Sequence, residues 1–170
     1  MKKTIVLSFL AGLLLLSACS SSDETQYKPV FAFSYLVVYP NVGTKPDTID
    51  FHADAVAQCY VIDSIDTADT LTFTVGLIGY GNMLTGFSAD WKTADLSLAL
   101  MDTISLKQVL TPASSIKQCQ LYFWSGFTAL PVSMRLVPQL TGPSHTDFRL
   151  TVVSDSKYSP SDITFRLPVR

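Results

Sequence analysis

The sequence predicts an all-β fold, two antiparallel sheets packed as a sandwich, and three observations lead there. Short runs of alternating apolar and polar residues recur along the chain and are cut by Gly, Pro and Asn. The runs are rich in Val, Ile, Thr, Phe and Tyr, side chains that suit a pleated, half-buried surface. Only one stretch, 102–110, has a helical reading. Beyond a first segment treated below, about 150 residues remain, enough for one ordinary core, and no internal repeat or long linker divides them.

The elements follow in order. Residues 28–39 read KPVFAFSYLVVY, with Phe31, Phe33, Tyr35, Val37 and Tyr39 on one face and Val30, Ala32, Leu36 and Val38 on the other. Both faces are apolar, so this strand is expected to be covered on both sides or to meet a partner. Pro40-Asn41-Val42-Gly43 breaks it with turn residues. Strands are expected over 48–53, where Ile49 and Phe51 alternate with Asp50 and His52, and over 56–62, a run that holds Cys59.

The acidic stretch 63–70 reads as a loop, and 71–78, alternating apolar residues with threonine, as a clear strand. A loose connection marked by Gly79, Gly81, Asn82 and Gly86 leads to a strand over 87–91, and Leu96, Leu98 and Leu100 mark another. Asp102 can cap a short helix through Leu110, which Pro112 stops. Further strands are expected over 120–125, over 130–136 with Ser133 and Arg135 outward, at Phe148, Leu150 and Val152, and at Ile163, Phe165 and Leu167. Short strands at this spacing favour an immunoglobulin-like sandwich, with a lipocalin-like barrel as the alternative.

The N-terminal segment carries a different signal. Met1-Lys2-Lys3 is basic, and the apolar run from Ile5 to Leu16 is too short to span a bilayer, as in a removable export signal. It ends in Leu16-Ser17-Ala18-Cys19, which resembles the lipobox of bacterial lipoproteins. The resemblance implies cleavage after residue 18, a diacylglycerol on the Cys19 sulfur and acylation of the new amine. Residues 1–18 are then a signal peptide, 19–27 a lipidated tether and 28–170 a single domain. Acyl chains contribute about 0.8 kcal/mol per buried methylene, so several hold the protein firmly to a membrane that the chain does not cross.

The tether, Ser20-Ser21-Ser22-Asp23-Glu24-Thr25-Gln26, has no apolar residue to bury. Its serine run closed by acidic residues resembles the surface-export signal of lipoproteins from Bacteroidota. That resemblance places the protein at the outer membrane, on the cell surface, with the periplasmic face as the alternative.

The chain has 12 basic and 14 acidic side chains, a formal charge of −2, and loss of residues 1–18 removes Lys2 and Lys3. Such a balance, with Lys and Arg scattered, gives nucleic acid and anionic membrane surfaces no footprint. Once Cys19 carries lipid, two of the three cysteines remain. In the oxidising compartment that export implies, Cys59 and Cys119 are expected to form a disulfide, against the alternative of two buried thiols.

No catalytic constellation stands out, and the expectation is a protein that is not an enzyme. The histidines are His52 and His145 alone, and there is no GxSxG elbow, HExxH or C-x-x-C pair. Asp63, Asp66 and Asp69 lack the alternation of a calcium loop and read as a solvated turn, so no metal or other cofactor is expected. Five Asp-Ser/Thr-apolar triplets resemble the O-glycosylation sequon of exported Bacteroidota proteins, which makes Thr48, Ser64, Thr67, Thr70 and Thr103 candidate glycan acceptors.

Trp91, Trp124, Tyr122 and Tyr80 are the candidates for a ligand-binding surface, because exposed aromatic planes stack on sugars. The functional expectation is a lipid-anchored binding or adhesion protein of the cell envelope, accessory to glycan uptake. The alternatives are a barrel that carries an apolar ligand and a subunit of a surface assembly that pairs through an open strand edge.

Overall fold

The structure, a computed structural model, describes residues 27–43, 45–140 and 142–170. The expected signal segment, Cys19 and residues 20–26 of the expected tether lie outside the described residues. Among the described residues the chain runs β1 (Val30–Phe33), β2 (Leu36–Tyr39), β3 (Asp47–Ile49), β4 (Phe51–Asp54), β5 (Cys59–Ile62), β6 (Thr70–Ile78), β7 (Leu84–Trp91), β8 (Leu96–Leu100), α1 (Thr103–Val109), β9 (Gln120–Tyr122), β10 (Ala129–Pro138), β11 (Ser144–Ser154) and β12 (Ser161–Val169).

The strands form two six-stranded sheets, and the fold is an all-β sandwich. The first sheet has the order β3-β2-β6-β10-β8, with β1 beside β6 in continuation of β2. The second has the order β4-β5-β12-β11-β7-β9, antiparallel except where β5 meets β12. Inward residues alternate along the long strands, as Leu71, Phe73, Val75 and Leu77 of β6 and Phe148, Leu150 and Val152 of β11 do. Phe148 lies between the sheets, its ring centroid 6.2 Å from that of Phe73 and 5.1 Å from that of Phe165. These rings occupy the space a lumen would need, and the sheets do not close on each other, so the lipocalin-like barrel is not formed.

The pairing of β1 and β2 with β6 defines two ends. Val30 lies opposite Ile78, and Tyr39 opposite Thr70. The near pole is the end where Tyr27 enters β1, and the far pole lies along β6 from it, about 30 Å away at strand rise.

Several expected elements are divided differently. Residues 28–39 form two strands whose inward face inverts, since Phe31 and Phe33 pack on the core before the break and Leu36 and Val38 after it. Ser34 makes the inversion possible: its N–H donates to Thr74 O at 2.9 Å, and its Oγ accepts from Thr74 N at 2.8 Å in place of a carbonyl. Residues 48–53 belong to two sheets, β3 pairing with β2 and β4 with β5, so the chain crosses the sandwich at Asp50.

The expected strand over 56–62 begins only at Cys59. Asp54 Oδ1 accepts from Val56 N at 2.9 Å and Ala57 N at 3.0 Å and holds the chain in a turn. These bonds keep the Asp54 carboxyl below the usual carboxylate range. The strand expected over 120–125 ends at Tyr122, whose N–H donates to Ser114 Oγ at 2.8 Å. The helix forms as expected, with Asp102 as its N-cap and Asp102 Oδ1 accepting from Ser105 N at 3.4 Å.

The expected disulfide does not form, and Cys59 and Cys119 are both free and buried. Cys59 starts β5 and Cys119 precedes β9, so β12, β11 and β7 stand between them. Four interstrand steps span about 19 Å, whereas bridged Cα atoms lie within about 7 Å. Burial pushes the Cys119 thiol up to about 12. This cysteine packs as a core residue, and the separation in sequence that made a bridge attractive reflects strands four places apart in one sheet.

Candidate functional site

Trp91 ends β7 opposite Phe148 of β11, and its ring is partly buried against the core. The wall facing it is the turn before β9. Ser115 and Gln120 exchange main-chain bonds of 2.7 and 3.0 Å, and Cys119, at φ 50°, lets the chain reverse between them. A further bond from Ala89 N to Cys119 O, 3.1 Å, ties this turn to β7. Together they enclose an open hollow of about 560 Å³ lined by Trp91, Asp90, Thr93, Ser115, Lys117, Gln118 and Gln120.

The chemistry of this lining is mixed in a useful way. An indole surface adjoins two amides, a carboxylate, an ammonium and two hydroxyls, which together offer donors and acceptors in several directions. A polyhydroxyl ring presents an apolar face and a rim of groups that both donate and accept, and this lining matches both. Asp90, Lys117, Gln118 and Gln120 carry no sequence signal of their own. They reach Trp91 only because the turn at 115–120 folds onto β7.

The other three aromatic candidates lie elsewhere. Tyr122 covers Gly86 on the outer side of the second sheet, where a Cβ would come 3.2 Å from Leu121 O and 3.8 Å from the Tyr122 ring. Trp124 follows β9, its N–H bonded to Val109 O at 3.0 Å. Tyr80 sits in the turn after β6 and packs edge-on against Tyr27, with ring centroids 5.9 Å apart.

The structure gathers four of the five glycan-acceptor candidates at the far pole. Ser64 and Thr67 line an open basin of about 650 Å³ with Lys45, Asp47, Asp66, Asp69 and Arg170, while Thr48 lies within β3 and Thr70 begins β6 beside it. Thr103 is the exception, at the start of α1. Thr48 and Ser64 are exposed, and Thr67 is also exposed but donates to Leu140 O at 3.2 Å.

The aspartates of these triplets are engaged in the fold. Asp69 is buried and accepts from Asn41 N at 2.9 Å and from Asp66 N at 3.1 Å. Asp63 accepts from Asp50 N at 3.1 Å, and Asp66 pairs with Arg170 at 2.8 Å. Among the described residues no three His, Cys, Asp or Glu side chains stand close enough to hold a metal ion, and no helix is long and apolar enough to cross a membrane.

No protein-family model matches this chain, and no curated protein matches it. Among solved structures it is similar to a family 123 glycoside hydrolase from Clostridium perfringens, at 8% identity and a TM-score of 0.39. The match covers 63% of this chain and spans only 22% of that one.

Proposed function

We propose that this chain is a lipid-anchored, non-enzymatic binding protein of the outer membrane that holds a glycan in the hollow beside Trp91 and serves adhesion or glycan uptake. The observation that carries the binding half is the meeting of the Trp91 ring with Gln118, Gln120 and Asp90 in one open hollow. The anchoring half is supported by the order of basic start, apolar run, small residues and Cys19. Thr48 and Ser64 are the acceptors best placed to carry O-glycans, since both are exposed.

A glycan array probed with the full chain in detergent tests the binding half. Binding that falls at least tenfold in Gln118→Ala/Gln120→Ala, with the melting temperature unchanged, supports the reading; binding that survives in this variant and in Trp91→Phe removes it. The intact mass of the native protein tests the anchor, and protease accessibility on whole cells tells the surface from the periplasmic face.

A second reading, a subunit of a surface assembly, is favoured by the edge of β1. The strand β3 occupies the lane beside β2 and leaves the first sheet at Asp50, so no described strand lies outside β1. Val30 and Ala32 turn their main-chain groups to β6, which by alternation leaves those of Phe31 and Phe33 facing an open lane. Chains joined by strand addition here would form oligomers that Phe31→Pro abolishes and Phe31→Leu retains. Sedimentation showing a monomer for the parent chain at high concentration would dismiss this reading.

A further inference from the structure

We propose that the near pole rests on the lipid surface itself, seated through Tyr27, Tyr80, Met83, Trp124 and Tyr158. This rests on the anchored reading above and adds an orientation to it.

Three loops and the start of the described chain meet at this end of the sandwich. Gly79 N donates to Thr128 O at 2.8 Å and Leu84 N to Phe127 O at 2.7 Å, which joins the turn after β6 to the loop that follows Trp124. Met83 N donates to Asp155 Oδ1 at 2.8 Å and Asp155 N to Met83 O at 2.9 Å, which brings in the loop that carries Tyr158. Asn82 Nδ2 reaches Tyr27 O at 3.3 Å and closes the group.

The rings do not turn inward. Tyr27, Tyr80, Trp124 and Tyr158 are 54%, 55%, 53% and 54% exposed, and Met83 is 39% exposed. Tyr80 is held at φ 50°, a left-handed conformation that a bulky residue adopts at a cost of about 1 kcal/mol and that glycine would take freely.

What covers the rings follows from where the chain leaves. Tyr27 is at this pole, and Cys19 is eight residues before it, a span of at most about 28 Å when fully extended. An acylated Cys19 keeps the near pole within that distance of the headgroups, whereas the far pole can lie up to about 30 Å beyond it. Tyrosine and tryptophan favour the membrane–water boundary, where the ring meets apolar matter and the polar edge stays wet. Lys157 lies 5.0 Å over the Tyr158 ring at this pole.

The experiment uses the full acylated chain reconstituted into vesicles of phosphatidylcholine and phosphatidylethanolamine, with and without brominated phosphatidylcholine. The chain has two tryptophans, so Trp91→Phe reports Trp124 alone and Trp124→Phe reports Trp91 alone. Bromine should quench Trp124 at least twofold and leave Trp91 nearly unchanged, and Tyr80→Gly/Tyr158→Ser should reduce the Trp124 quenching. Intact mass on the same sample separates the two ideas. An acylated chain whose Trp124 is quenched no more than Trp91 overturns the seated pole alone, whereas a chain without the acyl mass overturns both.

Discussion

At the near pole, rings and a thioether face solvent from loops held together by main-chain hydrogen bonds; at the far pole, aspartates turn back into the fold and accept main-chain N–H groups. The near-pole side chains could be trimmed without leaving a buried group unsatisfied. The Asp69 carboxylate could not, since at a buried position it accepts from Asn41 N and Asp66 N and joins the two turns. Side chains that the fold does not need are the ones free to serve a surface, and five of them, Tyr27, Tyr80, Met83, Trp124 and Tyr158, meet at the end where the described chain begins, while Tyr35, Val42, Val56 and Ile104 are exposed elsewhere.

The largest effect should come from the far pole. Asp69→Ala removes the acceptor of two main-chain N–H groups at a buried position and should cost about 2 kcal/mol in urea unfolding. Trp124→Ser, by contrast, should change the unfolding free energy by less than about 0.5 kcal/mol. Equal losses would break the contrast between the poles.

Next in size, Tyr80→Gly should stabilise the domain by about 1 kcal/mol through relief of its positive φ, even as it weakens membrane seating. A loss of stability here would mean that the ring is structural. Arg170→Gln should cost about 0.5 kcal/mol or less, because its bond to Asp66 joins side chains 69% and 63% exposed, and the difference should vanish in high salt. Smallest of all is the effect of reductant: with Cys59 and Cys119 free, dithiothreitol should leave the melting temperature unchanged, and alkylation after non-reducing denaturation should label both thiols.

The long strands were legible from sequence because one face is buried and the other wet. In β6, β10, β11 and β12 the inward residues alternate without a slip over most of their length. The α1 cap was legible for a similar reason, as Asp102 and Pro112 act locally. The misreadings fall where a tertiary event overrides the local period. A hydroxyl at Ser34 replaces a carbonyl and inverts a strand, and a run that looks continuous over 48–53 is shared between two sheets.

The same limit applies to the hollow. Trp91 could be named from its residue type and its place beside a glycine-rich loop. Its amide neighbours could not, because they arrive through a turn at Cys119 whose left-handed backbone nothing in the residue type announces.

One consequence of the β1 geometry concerns force. The chain enters at Tyr27 and runs directly into a strand laid antiparallel along β6 toward the opposite end. On the proposed reading, a pull between an anchored N terminus and cargo held on the body would run along that strand, so its ladder would be loaded in shear, all rungs together, and continued by β2 past the Ser34 kink. Such an attachment resists tearing better than one that unzips rung by rung.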